Sequence, residues 1–422
     1  VSHTPGSPAP LPDAAPAATA PAHRRPPRRS PATGRLIGID LARGLAVLGM
    51  FVVHLGIGWT LADGTNALQP VAAGRSAALF ALLAGVSAAL LSGGRTPATG
   101  PAMGVALWRV VIRGLLMLPL GTALTLLGTP VAVILAYYAV FFLLTAPFLH
   151  ERWTIVAGAA AALAVVGPIV SFHVRAAAAD GPLRAPFTAV NTYDPLEALA
   201  GEGLIDLLLT GAYPALTWMP FVLAGLAIGR LDLRSTRVRW TLVGAGAATA
   251  ALAHTASWVA LGPLGGRARL EASFTPAAVA DHGAPPDAAT ALADGFPGTV
   301  PVHDWVWLLS DAPHSGTPLE VFAAGGAAAA VLGGCLLVGE WLRWVLYPVA
   351  AVGALALTAY VAHVLLIWVA ERPWGALLDP VLGPVVLVGS LAGAAVWRWT
   401  GRRGPLEQPL HAVSLWAARR IP

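Results

Sequence analysis

LIGIDLARGLAVLGMFVVHLG, residues 36–56, is apolar throughout except for Asp40, Arg43 and His54. A run of this length and composition is a membrane helix. Eleven residues separate Arg43 from His54, three helical turns plus about 20°, so both side chains project from one face. At 1.5 Å per residue they lie about 16 Å apart along the axis. Ionisable groups at membrane depth are costly to bury, and they usually mark a site or a substrate path. One helix therefore carries a cation toward one surface and a titratable imidazole toward the other.

The rest of the chain agrees with that beginning. Of its 422 residues 56% are apolar and 11% charged, and the mean hydropathy is +0.69. These values exclude an ordinary soluble domain. All 26 basic residues are arginine, which, with the wealth of Ala, Gly and Pro, reflects a GC-rich genome. The single cysteine, Cys335, excludes an intrachain disulfide and a cysteine-held metal cluster. A pI near 10.0 invites a nucleic-acid reading, but membrane orientation accounts for the arginines and no nucleic-acid partner is expected.

Residues 1–33 are rich in Pro and Ala and end in a basic cluster; they read as a disordered cytoplasmic tail, not a signal peptide. Hydrophobic runs then predict an all-α polytopic bundle of about ten spans, near 36–57, 72–92, 105–127, 130–149, 153–172, 213–229, 240–262, 319–339, 345–370 and 380–399. Residues 34–400 form the membrane domain and 401–422 a second cytoplasmic tail. An amphipathic stretch at 196–209 predicts an interfacial helix. With both termini inside, only Arg75, Arg175, Arg184, Arg267, Arg269 and Arg372 fall outside, and most acids gather there. That separation predicts an N-in, C-in protein of the plasma membrane. Residues 173–212 and 263–318 are the long external connections. In the second, 271–297 reads as disordered, and the Trp-, His- and Asp-rich end as ordered.

Several polar residues in this frame are candidates for chemistry. Seven histidines fall in the outer half: His54, His173, His254, His282, His303, His314 and His363. Imidazole is the side chain best suited to proton transfer near neutral pH. Arg43 admits two readings, a structural pair with Asp40 or a contact to an anionic group such as a donor phosphate. Arg109 and Arg113 widen the same basic pocket or reach out to lipid phosphates. Tyr213 and Trp218 open a span broken by Gly211, Pro214 and Pro220, and serve a substrate cavity or an aromatic belt. Tyr360 and His363 share a face at i, i+3, as an acid/base pair or a helix–helix hydrogen bond. Asp304 and Asp311, in the ordered end of the long external loop, are further candidates, their role in an acyltransferase being to orient a histidine or bind sugar hydroxyls. No GxxxxGK[ST] loop occurs, so an ATP-driven pump is not expected. HExxH, CxxC and GxSxG are also absent; the external His and Asp residues could bind a metal, but their spacing is not diagnostic and no metal is expected.

GRLIGIDLARGLAVLGMFVVH resembles the first-helix signature of the heparan-α-glucosaminide N-acetyltransferase-like proteins and the related YeiB-like bacterial membrane proteins. GRSAALFALLAGVSAAL, GAYPALTWMPFVLAGLAIGR, HSGTPLEVFAAGGAAAAVLG and GALALTAYVAHVLL continue the likeness, and GPLE after the last span is a YeiB-like ending. Together they cover most of 35–410. The wider membrane acyltransferase superfamily carries Arg-x10-His in its first helix, a spacing that Arg43 and His54 match. The resemblance implies acyl transfer from cytoplasmic acetyl-CoA or another acyl-CoA to an extracytoplasmic glycan or other envelope acceptor, with His54 as the catalytic histidine. One feature departs: the loop after the first helix contains no histidine. The alternatives to an acyltransferase are a permease for a small polar or lipid-linked solute and a non-catalytic scaffold. The lipid bilayer is the expected partner, and a homo-oligomer is compatible with the sequence.

Overall fold

The computed structural model describes residues 1–3, 36–59, 61, 66–274, 287–372 and 381–421. Among them every regular element is helical, with no strand. The first half holds α1 (Ile37–Leu55), α2 (Gln69–Ala72), α3 (Arg75–Leu91), α4 (Gly100–Thr125), α5 (Leu135–Thr145), α6 (Trp153–Asp180), α7 (Arg184–Tyr193), α8 (Pro195–Ala200) and α9 (Ala215–Gly229). The second half holds α10 (Thr236–Leu261), α11 (Gly266–Ser273), α12 (Ala288–Asp294), α13 (Pro318–Val338), α14 (Tyr347–Ala354), α15 (Ala356–Ala370), α16 (Leu382–Trp399) and α17 (Glu407–Ala418).

Local chemistry sets several ends. Gly56, at φ 61°, closes α1 in the left-handed conformation that glycine adopts without steric cost. Thr317 caps α13 by accepting from Glu320 N at 3.1 Å, with Pro318 in the first turn. Six helical segments are long and apolar enough to cross a membrane: 37–55, 69–91, 100–125, 153–180, 318–338 and 382–399. They mark the chain as a membrane protein.

Packing around α1 positions the site. α1 lies against α3, α13 and α14, while α3 packs on α9, α4 on α5, α6 on α9 and α10 on α13. The closest approaches need glycine. A Cβ on Gly353 of α14 would stand 1.8 Å from the Asp40 carbonyl oxygen of α1, and one on Gly225 of α9 1.8 Å from that of Leu82 in α3. Bilayer helices gain from such backbone contact because lipid supplies no hydrophobic drive between them. Buried Arg230, at the end of α9, ties the other ends together. It donates to the carbonyls of Ala89 (3.2 Å), Gly94 (2.8 Å) and Leu149 and to Ser92 Oγ (2.9 Å). It thus joins the C-terminal end of α3 and the turn after it to Leu149, beyond α5.

Four expectations are modified. The run 345–370 is not one straight helix: α14 and α15 meet at Leu355 with an 85° bend. The segments at 135–148 and 215–229 are shorter than a full crossing, and α10 is long but less apolar. The stretch 196–209 breaks at Gly201 (φ 67°), because the Asp194 carboxylate accepts from Leu196 N (2.8 Å) before the break and Leu204 N after it. Residues 287–297, expected to be disordered, fold onto a small core: Ala288, Ala291 and Phe296 pack with Phe172, Leu261, Leu270 and Trp307. At the start of the 271–297 stretch, residues 271–273 belong to α11; 275–286 and the tail at 4–35 lie outside the described residues.

Candidate functional site

Two polar centres lie along α1. At the first, Arg43 Nη1 donates to Asp40 Oδ1 at 3.0 Å and to the Gly353 carbonyl at 3.3 Å, and Nη2 donates to Ser87 Oγ at 3.1 Å. The ion pair is real, and it does not bury the cation: Arg43 lines a cavity of about 250 Å³. Phe80 and Ser87 of α3, Arg113 of α4, Tyr138 of α5, Gly353 and Leu357 at the bend, and Glu407 of α17 complete the walls. Glu407 holds the bend open. Its carboxylate accepts from Thr358 N at 3.0 Å and Thr358 Oγ1 at 2.6 Å, satisfying part of the first turn of α15. Arg113 Nε and Tyr138 Oη are buried and have no hydrogen-bond partner among the described residues. Such atoms in a cavity wall suit a polar guest.

The second centre is built around His54 and His363. Their Nδ1 and Nε2 atoms stand 3.0 Å apart, and the rings are nearly parallel at 7°, with centroids 5.3 Å apart. Two neutral imidazoles at this distance form one N–H···N hydrogen bond, one ring donating and the other accepting. Phe51 and Tyr360 pack their rings on His363, at centroid distances of 4.8 and 5.0 Å. Tyr360 Oη accepts from Ile134 N at 3.2 Å, and Tyr213 Oη donates to the Ala132 carbonyl at 3.3 Å. The non-helical stretch before α5 therefore links the pair to a second aromatic group. There Trp218 and His314 stack at 26°, and Tyr213 meets both edge-on, with centroids 4.8 to 5.7 Å apart. His314 sits at φ 55°, a conformation uncommon outside glycine, in the loop just before α13. Burial pushes its imidazole down to about 4, so it is neutral at physiological pH.

Six of the sequence candidates, His54, His363, Tyr360, Tyr213, Trp218 and His314, thus come together, and Arg43, Asp40 and Arg113 form the other centre. The cavity does not reach His54. The face of α1 between the two centres carries Val47, Met50 and Phe51, all buried. Arg109 lies beside α17, 3.4 Å from His411 Nδ1. Asp304 has structural work. Burial alone would raise its carboxyl, but Arg269 at 2.8 Å and Val306 N at 3.0 Å outweigh it and hold the group below the ordinary carboxylate range. Asp311 is taken by His254. Among the described residues, no three or more His, Cys, Asp or Glu side chains gather as a metal site would need.

Sequence reading missed Ser87, Tyr138 and Glu407. Ser87 is a lone hydroxyl in an apolar run, and Tyr138 one of two adjacent tyrosines, both ordinary in a membrane helix. Glu407 carried a signal in the GPLE ending, without a role. No protein-family model matches the chain, and no curated protein is detectably similar to it.

Proposed function

We propose that this protein is an integral-membrane acyltransferase that takes an acyl group, such as acetyl, from an acyl-CoA and passes it to a hydroxyl or amine on an envelope glycan or a comparable acceptor. The observation that carries this reading is the pairing on α1. Arg43 faces a cavity, and His54, three turns further on, stands 3.0 Å from His363. The resemblance of most of residues 35–410 to membrane acyltransferases supports it, as does the bias of the arginines to one side of the expected spans, which would turn the Arg43 end of α1 toward the cytoplasm. CoA is too polar to cross a bilayer, so a site at membrane depth has to carry the acyl group to an outside acceptor.

Each residue then has a task. Arg43 and Arg113 attract anionic groups of the donor, and Tyr138 Oη offers it a hydrogen bond. With the proton of that hydrogen bond on His54 Nδ1, held toward His363, His54 Nε2 carries the lone pair. The acceptor hydroxyl attacks the thioester carbonyl and gives its proton to that nitrogen. The new C–O bond forms as the C–S bond breaks, and the imidazolium returns the proton to the departing CoA sulfur. Trp218, Tyr213 and His314 pack on one another beside the base, and this closed aromatic group would have to part for a sugar ring to stack there. Phe51 and Tyr360 stand between the donor cavity and the base and have to move for the thioester to reach it.

That packed layer also favours a second reading, a permease closed at its middle. Purified protein given acetyl-CoA and envelope glycan decides between them. Free CoA and acylated glycan are expected from wild type and not from His54→Ala. If acetyl never leaves the donor while a solute crosses proteoliposomes in a His54-dependent way, the acyltransferase reading is wrong.

A further inference from the structure

Away from both centres, α6 and α10 flank an apolar groove of about 340 Å³ whose floor is formed by α9 and α13. Small residues open it: Ala157 and Ala161 on one wall, Ala245 on the other, Ala224 and Gly325 beneath. Ala161 and Ala245 are exposed, so the groove opens sideways, where the surroundings of a membrane helix are hydrocarbon. A slot left unfilled there forfeits dispersion contacts along its length.

One end of the slot is chemically distinct. Trp153, Leu231 and Thr241 line it. Arg152 directly precedes Trp153, and Arg237 stands one turn before Thr241 on the same face of α10; both arginines are exposed. Trp153, 50% exposed, suits the interface between chains and head groups. The acids at this end are engaged elsewhere: Glu151 with His150 at 3.1 Å, and Asp232 with Arg95 at 3.8 Å. An apolar slot with an arginine next in sequence or one turn away on each wall at one end suits one lipid with a negatively charged head. We infer that the α6/α10 groove is a binding site for an anionic phospholipid, its acyl chain lying along Ala157, Ala161, Ala224 and Gly325 and its phosphate between Arg152 and Arg237.

The test uses the full chain, delipidated in detergent and titrated by native mass spectrometry with phosphatidylglycerol or with phosphatidylcholine of the same chains. One phosphatidylglycerol per protein is expected, held about tenfold more tightly than phosphatidylcholine. Gly325→Leu and Ala161→Phe fill the slot. A Cβ at Gly325 meets only the Phe221 ring, at 3.5 Å, so the added atoms enter the groove, not the core. These variants are expected to lose the tight lipid at unchanged melting temperature. Arg152→Gln with Arg237→Gln is expected to abolish the preference between head groups and keep chain binding. Independently of any variant, phosphatidylglycerol carrying a diazirine in its tail is expected to label peptides within 157–164 and 322–329. Equal affinity for the two lipids, full retention by filled variants, labelling spread over other helices, or displacement by a polyprenyl phosphate at far lower concentration would each overturn the assignment.

Discussion

At the scale of single residues, the His54–His363 pair makes a prediction that a structural role would not. Replacing His54 by alanine is expected to lower kcat for CoA release by about 10²- to 10⁴-fold while leaving KM for the acyl donor nearly unchanged, because the base acts in the transition state. Arg43→Gln is expected to do the reverse and raise donor KM by about tenfold or more, since a charge-assisted bond contributes roughly 1.5–3 kcal/mol. Steady-state kinetics over a range of acetyl-CoA concentrations checks both; a kcat effect for Arg43→Gln at constant KM would contradict its assignment to donor binding. His314 carries a separate test. Its imidazole is held down to about 4, below its value of 6.5 in an unfolded chain. As pH falls the unfolded state therefore takes up the proton first, and stability is lost between about pH 6.5 and pH 4. Thermal melts in detergent should show a steeper loss between about pH 7.5 and 5 in wild type than in His314→Gln. Parallel curves for the two proteins would mean that His314 is not enclosed as described.

Among the elements, the bend between α14 and α15 controls the Arg43 cavity, and Glu407 controls the bend. Removing a side chain that caps a helix start costs about 0.5–2 kcal/mol. Glu407→Ala is expected to lower stability by that much and also to weaken donor binding, because Gly353 and Leu357 line the cavity at the bend. Gly353→Ala places a methyl 1.8 Å from the Asp40 carbonyl oxygen. Overpacking of this kind costs about 1–3 kcal/mol, and here the strain falls on the α1 turn that carries Arg43. Thermal melting with donor titration separates these effects from a general loss of fold. The bend also shows what hydropathy could not reveal. Residues 345–370 read as one apolar run, with no proline near Leu355, and the group that stabilises the bend lies 49 positions after Thr358. The 196–209 helix failed for a like reason, since the Asp194 carboxylate serves amides on both sides of a glycine.

Across the whole molecule, the readable part of the sequence was its apolar periodicity and its misplaced charges. Most of the hydrophobic sequence described from 36 to 399 is helical, and Arg43, His54 and His363 were conspicuous as ionisable groups where hydrocarbon was expected. Which of them meet was not readable, because His54 and His363 are 309 residues apart and joined only by packing. Loop residues misled for the opposite reason: Asp304 looked like chemistry and has a local partner in Arg269. Topology is where sequence and structure leave the sharpest question, and α10 carries it. With 26 residues it is about 39 Å long, enough to cross. Arg237, Arg239 and His254 keep it below the hydropathy of the other long helices, but it packs on α13 with the backbones close enough that a Cβ on Gly246 would stand 2.6 Å from the Gly326 carbonyl oxygen. A helix pressed that closely along a long apolar partner is expected to cross with it. Cys335 is buried and is the single native cysteine, so Cys335→Ala supplies a silent background for single reporters at Ser235, before α10, and Asp294, after it. An impermeant maleimide added to intact cells is expected to label Asp294→Cys at once and Ser235→Cys only after permeabilisation. Labelling of both from the same side would remove α10 from the bilayer, reverse the side assigned to everything after it, and separate the outer aromatic group from the compartment in which the acceptor is proposed to lie.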